Sequence, residues 1–216
     1  MSLTIGILAL QGDYEAHARV LARLGLMPER DSDRLFPPPP SAAQPEFVGH
    51  WRFVRSPADL AGLDGVILPG GESSTMLKFL ENETFWRELG SLLQRQAVFA
   101  TCAGVILLAR QVGNPPQRSF AALDVAVERN AYGRQIDSSV RQGEWAPGSP
   151  DAGRPLEMVF IRAPKIADIG PKVEVLATES GLPVLVRQGR ILAATFHPEL
   201  GADLALHRMF LRAAAA

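Results

Sequence analysis

Short apolar runs that end abruptly at glycine, proline or a turn residue most narrow what this chain can fold into. Leu3 to Leu10 is one such run, broken by Gln11-Gly12-Asp13. Gly65 to Leu68 is a second, closed by Pro69-Gly70-Gly71, and Ala97 to Ala100 is a third, leading straight into Thr101-Cys102. Each is too short for a helix that buries a stripe and reads as a strand buried on both faces. Helical patterns separate them. Asp13 is placed to cap a helix that reaches about Leu24 and stops at Gly25. Ser73 or Ser74 is placed to start another. Thr84 to Gln96 is amphipathic, and Ala103 to Arg110 is apolar and compatible with a helix.

The second half reads differently. Leu123 to Val127, Leu156 to Ile161, Val173 to Ala177, Val184 to Val186 and Ile191 to Thr195 are short strand candidates parted by Gly and Pro, and the last helix is expected over Leu204 to Ala213. Strands that alternate with helices early and cluster late predict a three-layer α/β domain, its mixed sheet carrying an antiparallel extension. The length of 216 residues suits a single domain over residues 1–216. A Pro-rich surface insert is expected at 31–50, where Pro37-Pro38-Pro39-Pro40 permits neither helix nor sheet interior. An SH3-type ligand is the functional alternative there. A second loop is expected over Arg141 to Gly153.

The formal net charge of −1 supplies no field for nucleic acid or an anionic membrane. No run approaches the ~20 apolar residues that span a bilayer, and the N-terminus does not read as a secretory signal. One cysteine excludes an intramolecular disulfide, and a cytoplasmic location is the default expectation. With a single Cys and scattered histidines, no metal site is expected.

Three segments carry chemistry. In Phe99-Ala100-Thr101-Cys102-Ala103-Gly104 a strand feeds a cysteine flanked by small residues and then a helix, the cysteine form of a nucleophile elbow. The tight turn would lift the sulfur clear of the sheet and set it at a helix N-terminus. The alternative is an inert buried thiol. In Thr195-Phe196-His197-Pro198-Glu199 a histidine follows a strand and a carboxylate two residues on can orient it. The alternative is a structural His with a chance acidic neighbour. His17 and His207 fall on helices and read as surface or packing residues. In Leu68-Pro69-Gly70-Gly71-Glu72-Ser73-Ser74 paired glycines leave amides bare for an anion. A phosphate site is disfavoured because no Gly-Lys-Ser/Thr follows.

In this order the three segments resemble the class I, or triad, glutamine amidotransferases. Ile5 to Gly12, Leu68 to Met76, Thr101 to Gly104, Val127 to Gln135, Phe160 to Pro164 and Phe196 to Leu200 narrow the resemblance to the glutaminase subunit of pyridoxal 5′-phosphate synthase. It covers nearly the whole chain apart from the insert, the Arg141 to Gly153 loop and the Ala-rich C-terminus.

The resemblance implies a flavodoxin-like α/β/α fold and the hydrolysis of L-glutamine to glutamate and ammonia. It also implies delivery of that ammonia to a (β/α)₈ synthase partner that makes pyridoxal 5′-phosphate, which is then a product and not a cofactor of this chain. It makes Cys102 the nucleophile, His197 its base and later acid, and Glu199 the group that orients His197. Gly70 and Gly71 become oxyanion donors. Gly71, Glu72, Ser73, Arg129, Ile161 and Arg162 become glutamine-binding residues, and Gln11 lies near the oxyanion loop. An arginine suits the α-carboxylate of glutamine, and Glu72 suits its α-ammonium. Two departures stand out. The elbow begins with Ala100 where the family has Gly, which would strain a positive-φ position by about 1 kcal/mol or more, and the insert is extra. A glutaminase serving another synthase and a non-catalytic scaffold are the competing readings.

Overall fold

The structure is a computed structural model that describes residues 2–35, 45–129, 138–147, 149 and 152–216. The four consecutive prolines of the expected insert therefore lie outside the described residues, as do Asn130 to Gln135. The chain forms two compact units: residues 1–99 with 204–216, and residues 100–203.

The first unit is an α/β assembly of parallel strands. Strand β1 (Leu3–Leu8) leads into α1 (Tyr14–Arg23), followed by β2 (Met27–Pro28), β3 (Gly49–Val54), β4 (Gly65–Leu68), α2 (Ser73–Phe79), α3 (Glu83–Leu93) and the start of β5 (Ala97–Thr101). The strand order is β2-β3-β1-β4, and β1 pairs in parallel with both β3 and β4. Both faces are covered, as the apolar runs require: Ile5, Ile7, Val66, Ile67 and Leu68 have no exposed surface. Gly6 is small for a reason, since a Cβ there would meet Leu63 Cδ1 and Val54 Cγ2.

Three expectations shift at the edges of this unit. Met27–Pro28 forms a two-residue strand that the apolar pattern did not reveal. Part of the expected insert is built into the fold: Asp33 is fully buried, accepts from the Phe53 amide at 3.2 Å, and pairs with Arg55 at 3.0 Å. Helix α2 is headed by Glu72 instead of Ser73 or Ser74. The Glu72 carboxylate accepts from the amides of Ser74 and Thr75, at 3.3 and 2.8 Å, and from both hydroxyls. A carboxylate at a helix N-terminus also complements the helix dipole.

His17 and His207 are both fully buried and bond to each other, Nδ1 to Nε2, at 3.0 Å. The Phe99 ring meets each edge-on. His207 lies on α5 (Ala205–Ala215), which returns to this unit. These two are packing residues.

The second unit takes the end of β5 into α4 (Ala103–Leu108), then β6 (Ala109–Gly113), β7 (Leu123–Glu128), β8 (Ser139–Trp145), β9 (Leu156–Phe160), β10 (Lys165–Ile169), β11 (Glu174–Glu179), β12 (Leu182–Gln188) and β13 (Ile191–Ala194). One row runs β13-β12-β11-β8-β9 and is antiparallel throughout the β11–β12, β12–β13, β11–β8 and β8–β9 pairs. A separate three-stranded sheet runs β10-β7-β6. The antiparallel extension is therefore present. Three strands were not expected: β6, β10 and β8, the last of which replaces the first part of the loop expected over Arg141 to Gly153. The β11–β12 hairpin turns through Ser180 and Gly181 at φ 50° and 77°, the left-handed pair that a type I′ turn needs.

Candidate active site

Cys102 sits where β5 gives way to α4, at φ 46° and ψ −105°. A residue with a Cβ rarely adopts that backbone, and holding it there costs about 1–3 kcal/mol. The departure at Ala100 is harmless, because Ala100 lies inside β5, fully buried, and is not among the positive-φ residues. The elbow's strain falls on the cysteine itself. Small neighbours Thr101, Ala103 and Gly104 fill the turn without exposed surface. Helix α4 is only six residues long, so the anion-favouring field at Cys102 is that of a single first turn.

Strand β13 joins this elbow to the histidine. The Cys102 amide donates to the Ala194 carbonyl at 2.9 Å. Three residues later His197 leaves the strand, its own amide bonded to the Val159 carbonyl at 2.8 Å. A single turn of 3-10 helix, Pro198–Leu200, then brings Glu199 back toward the ring. The His197 Nδ1 and Glu199 Oε1 atoms are 2.7 Å apart, with the two side chains 3% and 0% exposed. Burial pulls the basicity of His197 down. Hydrogen bonds with Cys102 and Glu199 and the negative charges of both outweigh it, and the imidazole is pushed up to about 10. At neutral pH the ring holds its proton, which places a cation beside the Cys102 sulfur.

The Cys102 Sγ also lies 3.8 Å from the Ile161 carbonyl oxygen. That carbonyl is aimed by an unusual backbone at Arg162, φ 47°, a left-handed residue with a Cβ. Ile161 is half-buried and Arg162 exposed. Arg129 follows β7 directly, its amide bonded to the Gly113 carbonyl at 3.0 Å. The second unit therefore carries Cys102, His197, Glu199 and Ile161, with Cys102 against the Ile161 carbonyl and His197 against Glu199.

Gly70, Gly71, Glu72 and Ser73 belong to the first unit. Gly71 has φ 150°, and a Cβ there would meet Gln11 Oε1 and Met76 Cε. Gln11 Oε1 accepts the Glu72 amide at 2.6 Å. Burial tends to raise the Glu72 carboxyl, but the Ser74 and Thr75 hydroxyls and amides more than offset this and hold it down to about 2. Its carboxylate is thus already occupied as a helix cap. Residue types gave no sign of Val159 or Ala194, because both contribute only backbone carbonyls.

A family model described as the SNO glutamine amidotransferase family matches residues 7–216. The chain belongs to that family. Curated relatives named pyridoxal 5′-phosphate synthase subunit PdxT are similar over almost their full length. The one from Koribacter versatilis is 47% identical over 97% of this chain and 95% of its own. The one from Solibacter usitatus is 44% identical over 96% and 97%, and the one from Thermotoga maritima 42% over 97% and 98%. A solved structure described as a glutamine amidotransferase superposes with a TM-score of 0.78 at 40% identity, covering 98% of this chain and 99% of its own. A putative GMP synthase component from Thermoplasma acidophilum has a TM-score of 0.65 at 16% identity, covering 100% of this chain and 95% of its own, and shares the fold alone. The α/β class expected from the sequence, with its class I glutamine amidotransferase architecture, is the one found. Among the described residues of this amidotransferase, no helix is long and apolar enough to cross a membrane.

Proposed function

We propose that this chain hydrolyses L-glutamine to L-glutamate and ammonia, and that the ammonia passes to a synthase partner that makes pyridoxal 5′-phosphate. The relatives named as PdxT subunits support the pathway. One observation carries the chemistry: a thiol on a strained elbow interacts electrostatically with a buried imidazole, which a buried carboxylate holds from behind.

The Cys102 thiolate attacks the carboxamide carbon of glutamine, and the C=O π electrons move to oxygen. When that oxyanion collapses, the C–N bond breaks and His197 delivers its proton to the leaving nitrogen, releasing ammonia. A glutamyl thioester remains on Cys102. His197, now neutral, takes a proton from water as the water attacks the thioester. Collapse of the second tetrahedral adduct frees glutamate and restores the thiolate–imidazolium pair. Glu199 keeps the ring in one tautomer and balances its charge in both halves of the reaction.

The remaining roles follow from the family resemblance. Gly70 and Gly71 serve the oxyanion, and Arg129, Ile161 and Arg162 hold the amino-acid end of glutamine together with Gly71, Glu72 and Ser73. The occupied carboxylate of Glu72 suits a part in shaping that segment better than a direct bond to the α-ammonium. The partner is a (β/α)₈ synthase, and the setting is the cytoplasm. The deciding experiment is glutamate release from glutamine with and without the synthase. Release in its presence is expected, and a chain that yields none with the partner bound is not a glutaminase.

A further inference from the structure

The catalytic histidine is held through strand β9, and β9 is braced from outside by a charged pair that the reaction chemistry does not use. Val159 accepts the His197 amide at 2.8 Å, and the Ile161 carbonyl lies 3.8 Å from the Cys102 sulfur. The residue between them is Phe160. Its ring packs on that of Phe196, the residue before His197, with centroids 5.9 Å apart and planes inclined at 60°. The two carbonyls that contact base and nucleophile therefore flank one buried ring.

Arg141 covers that ring. Strands β8 and β9 pair with Ser139 opposite Phe160 and Arg141 opposite Met158, so Arg141 reaches diagonally across the pair, a distance long side chains can span. Its guanidinium carbon is 5.4 Å from the Phe160 centroid, within the range of a cation–π contact. Two further bonds fix the guanidinium. Its Nε donates to Ser139 Oγ at 3.0 Å, and its Nη1 donates to Glu179 Oε1 at 3.2 Å. Glu179 in turn accepts from Ser180 Oγ at 2.8 Å, and its side chain is only 12% exposed. The guanidinium is thus held over the ring by its partners, although its side chain is 38% exposed.

We infer that Arg141, held by Glu179, is a positioning residue for the reaction: it fixes Phe160 and so sets His197 against Cys102. This rests on the proposed reading of Cys102 and His197 and adds a residue that neither touches substrate nor reacts. It acts on registry between base and nucleophile, which changes kcat more than substrate affinity.

The test uses the full chain with its synthase partner and the variants R141A, R141K and E179Q. R141A is expected to lower kcat about five- to tenfold with KM for glutamine held within about twofold, the scale of a sub-ångström misplacement. Alkylation of Cys102 by iodoacetamide, measured without glutamine, is expected to show its rate-against-pH profile displaced to higher pH. R141K keeps the charge but loses the planar contact and recovers part of the loss. E179Q moves both readouts in the same direction by less, and it carries the test should R141A not fold. A wild-type alkylation profile and kcat in R141A overturn the inference. So does a loss that only tracks the unfolded fraction seen by circular dichroism, with the folded fraction alkylated as in the wild type. Because the alkylation arm needs no glutamine, it still reads the inference if the wild-type chain shows no glutaminase activity, an outcome that would instead sink the proposed function.

Discussion

His197 Nδ1 and Glu199 Oε1 lie 2.7 Å apart although only one residue separates them in sequence. Pro198 begins the 3-10 turn that allows this, since its fixed φ sets the first step of the turn. Replacing the carboxylate by an amide, E199Q, is expected to lower kcat by about 10²–10⁴-fold, because the ring loses both tautomer control and charge balance. Glutamate release with the partner present measures it. His197 binds its proton more tightly in the folded chain than an ordinary imidazole does, near ~6.5. Its stabilising contribution is complete below that value and is lost as pH rises toward about 10. In E199Q the loss is expected at lower pH in thermal melts taken across this window.

Cys102 carries strain that its function requires. C102S keeps the Cβ and the backbone and is expected to reduce turnover by about 10³-fold or more, with the fold seen by circular dichroism unchanged. C102G removes the Cβ at φ 46°. Relieved strain exceeds the entropy a glycine adds to the unfolded chain, for a net gain over C102S of about 1 kcal/mol. That corresponds to a rise of about 2–4 °C in Tm. A C102G chain no more stable than C102S would show that the elbow is relaxed.

The buried histidine pair makes the fold acid-sensitive. Burial first, and the Arg23 charge second, push His207 down to about 3. The folded chain thus keeps this ring neutral where the unfolded chain protonates it. Stability is expected to fall as pH drops from ~6.5 toward about 3. Since His207 Nδ1 is buried without a hydrogen-bond partner among the described residues, the less costly tautomer leaves a lone pair there and donates from Nε2 to His17. H207Q retains a donor and cannot titrate. Its Tm-against-pH curve below pH ~6 is expected to be flatter than that of the wild type.

Gly71 tests the glycine loop. A methyl group at φ 150° meets Gln11 Oε1 and Met76 Cε. G71A is expected to cost about 1–3 kcal/mol in denaturant unfolding and to reduce glutamate release beyond what that loss of stability explains. Wild-type kcat in a folded G71A chain would remove this loop from the catalytic reading.

The parts of the fold that periodicity announces are those with apolar residues on the buried side. Strands β1, β4, β5 and β13 are nearly or wholly buried and read directly from the sequence. Strand β8 alternates, but Ser139, Arg141, Gly143 and Trp145 face inward while Val140 is 64% exposed, so its pattern inverts the usual sign and resembles a loop. At Gly143 the end of the Met158 side chain occupies the space a Cβ would take. For the site, the residue types of Cys102, His197 and Glu199 were legible because chemistry demands them. The carbonyls of Val159, Ile161 and Ala194 were not, since any side chain can carry a carbonyl. Nor was the cap formed by Glu72, whose neighbours Ser73 and Ser74 are the residue types that more often head a helix.

Among the described residues, strand β9 ends its row and has a single strand neighbour, β8. A terminal strand with unmet backbone groups invites a strand from another molecule. Here the segment carrying His197 takes the Val159 carbonyl, so the turn that presents the base also blunts the row's open side. Changes that loosen this turn should therefore promote self-association as well as slow the chemistry, and slow turnover and clumping should arise together among variants of this region.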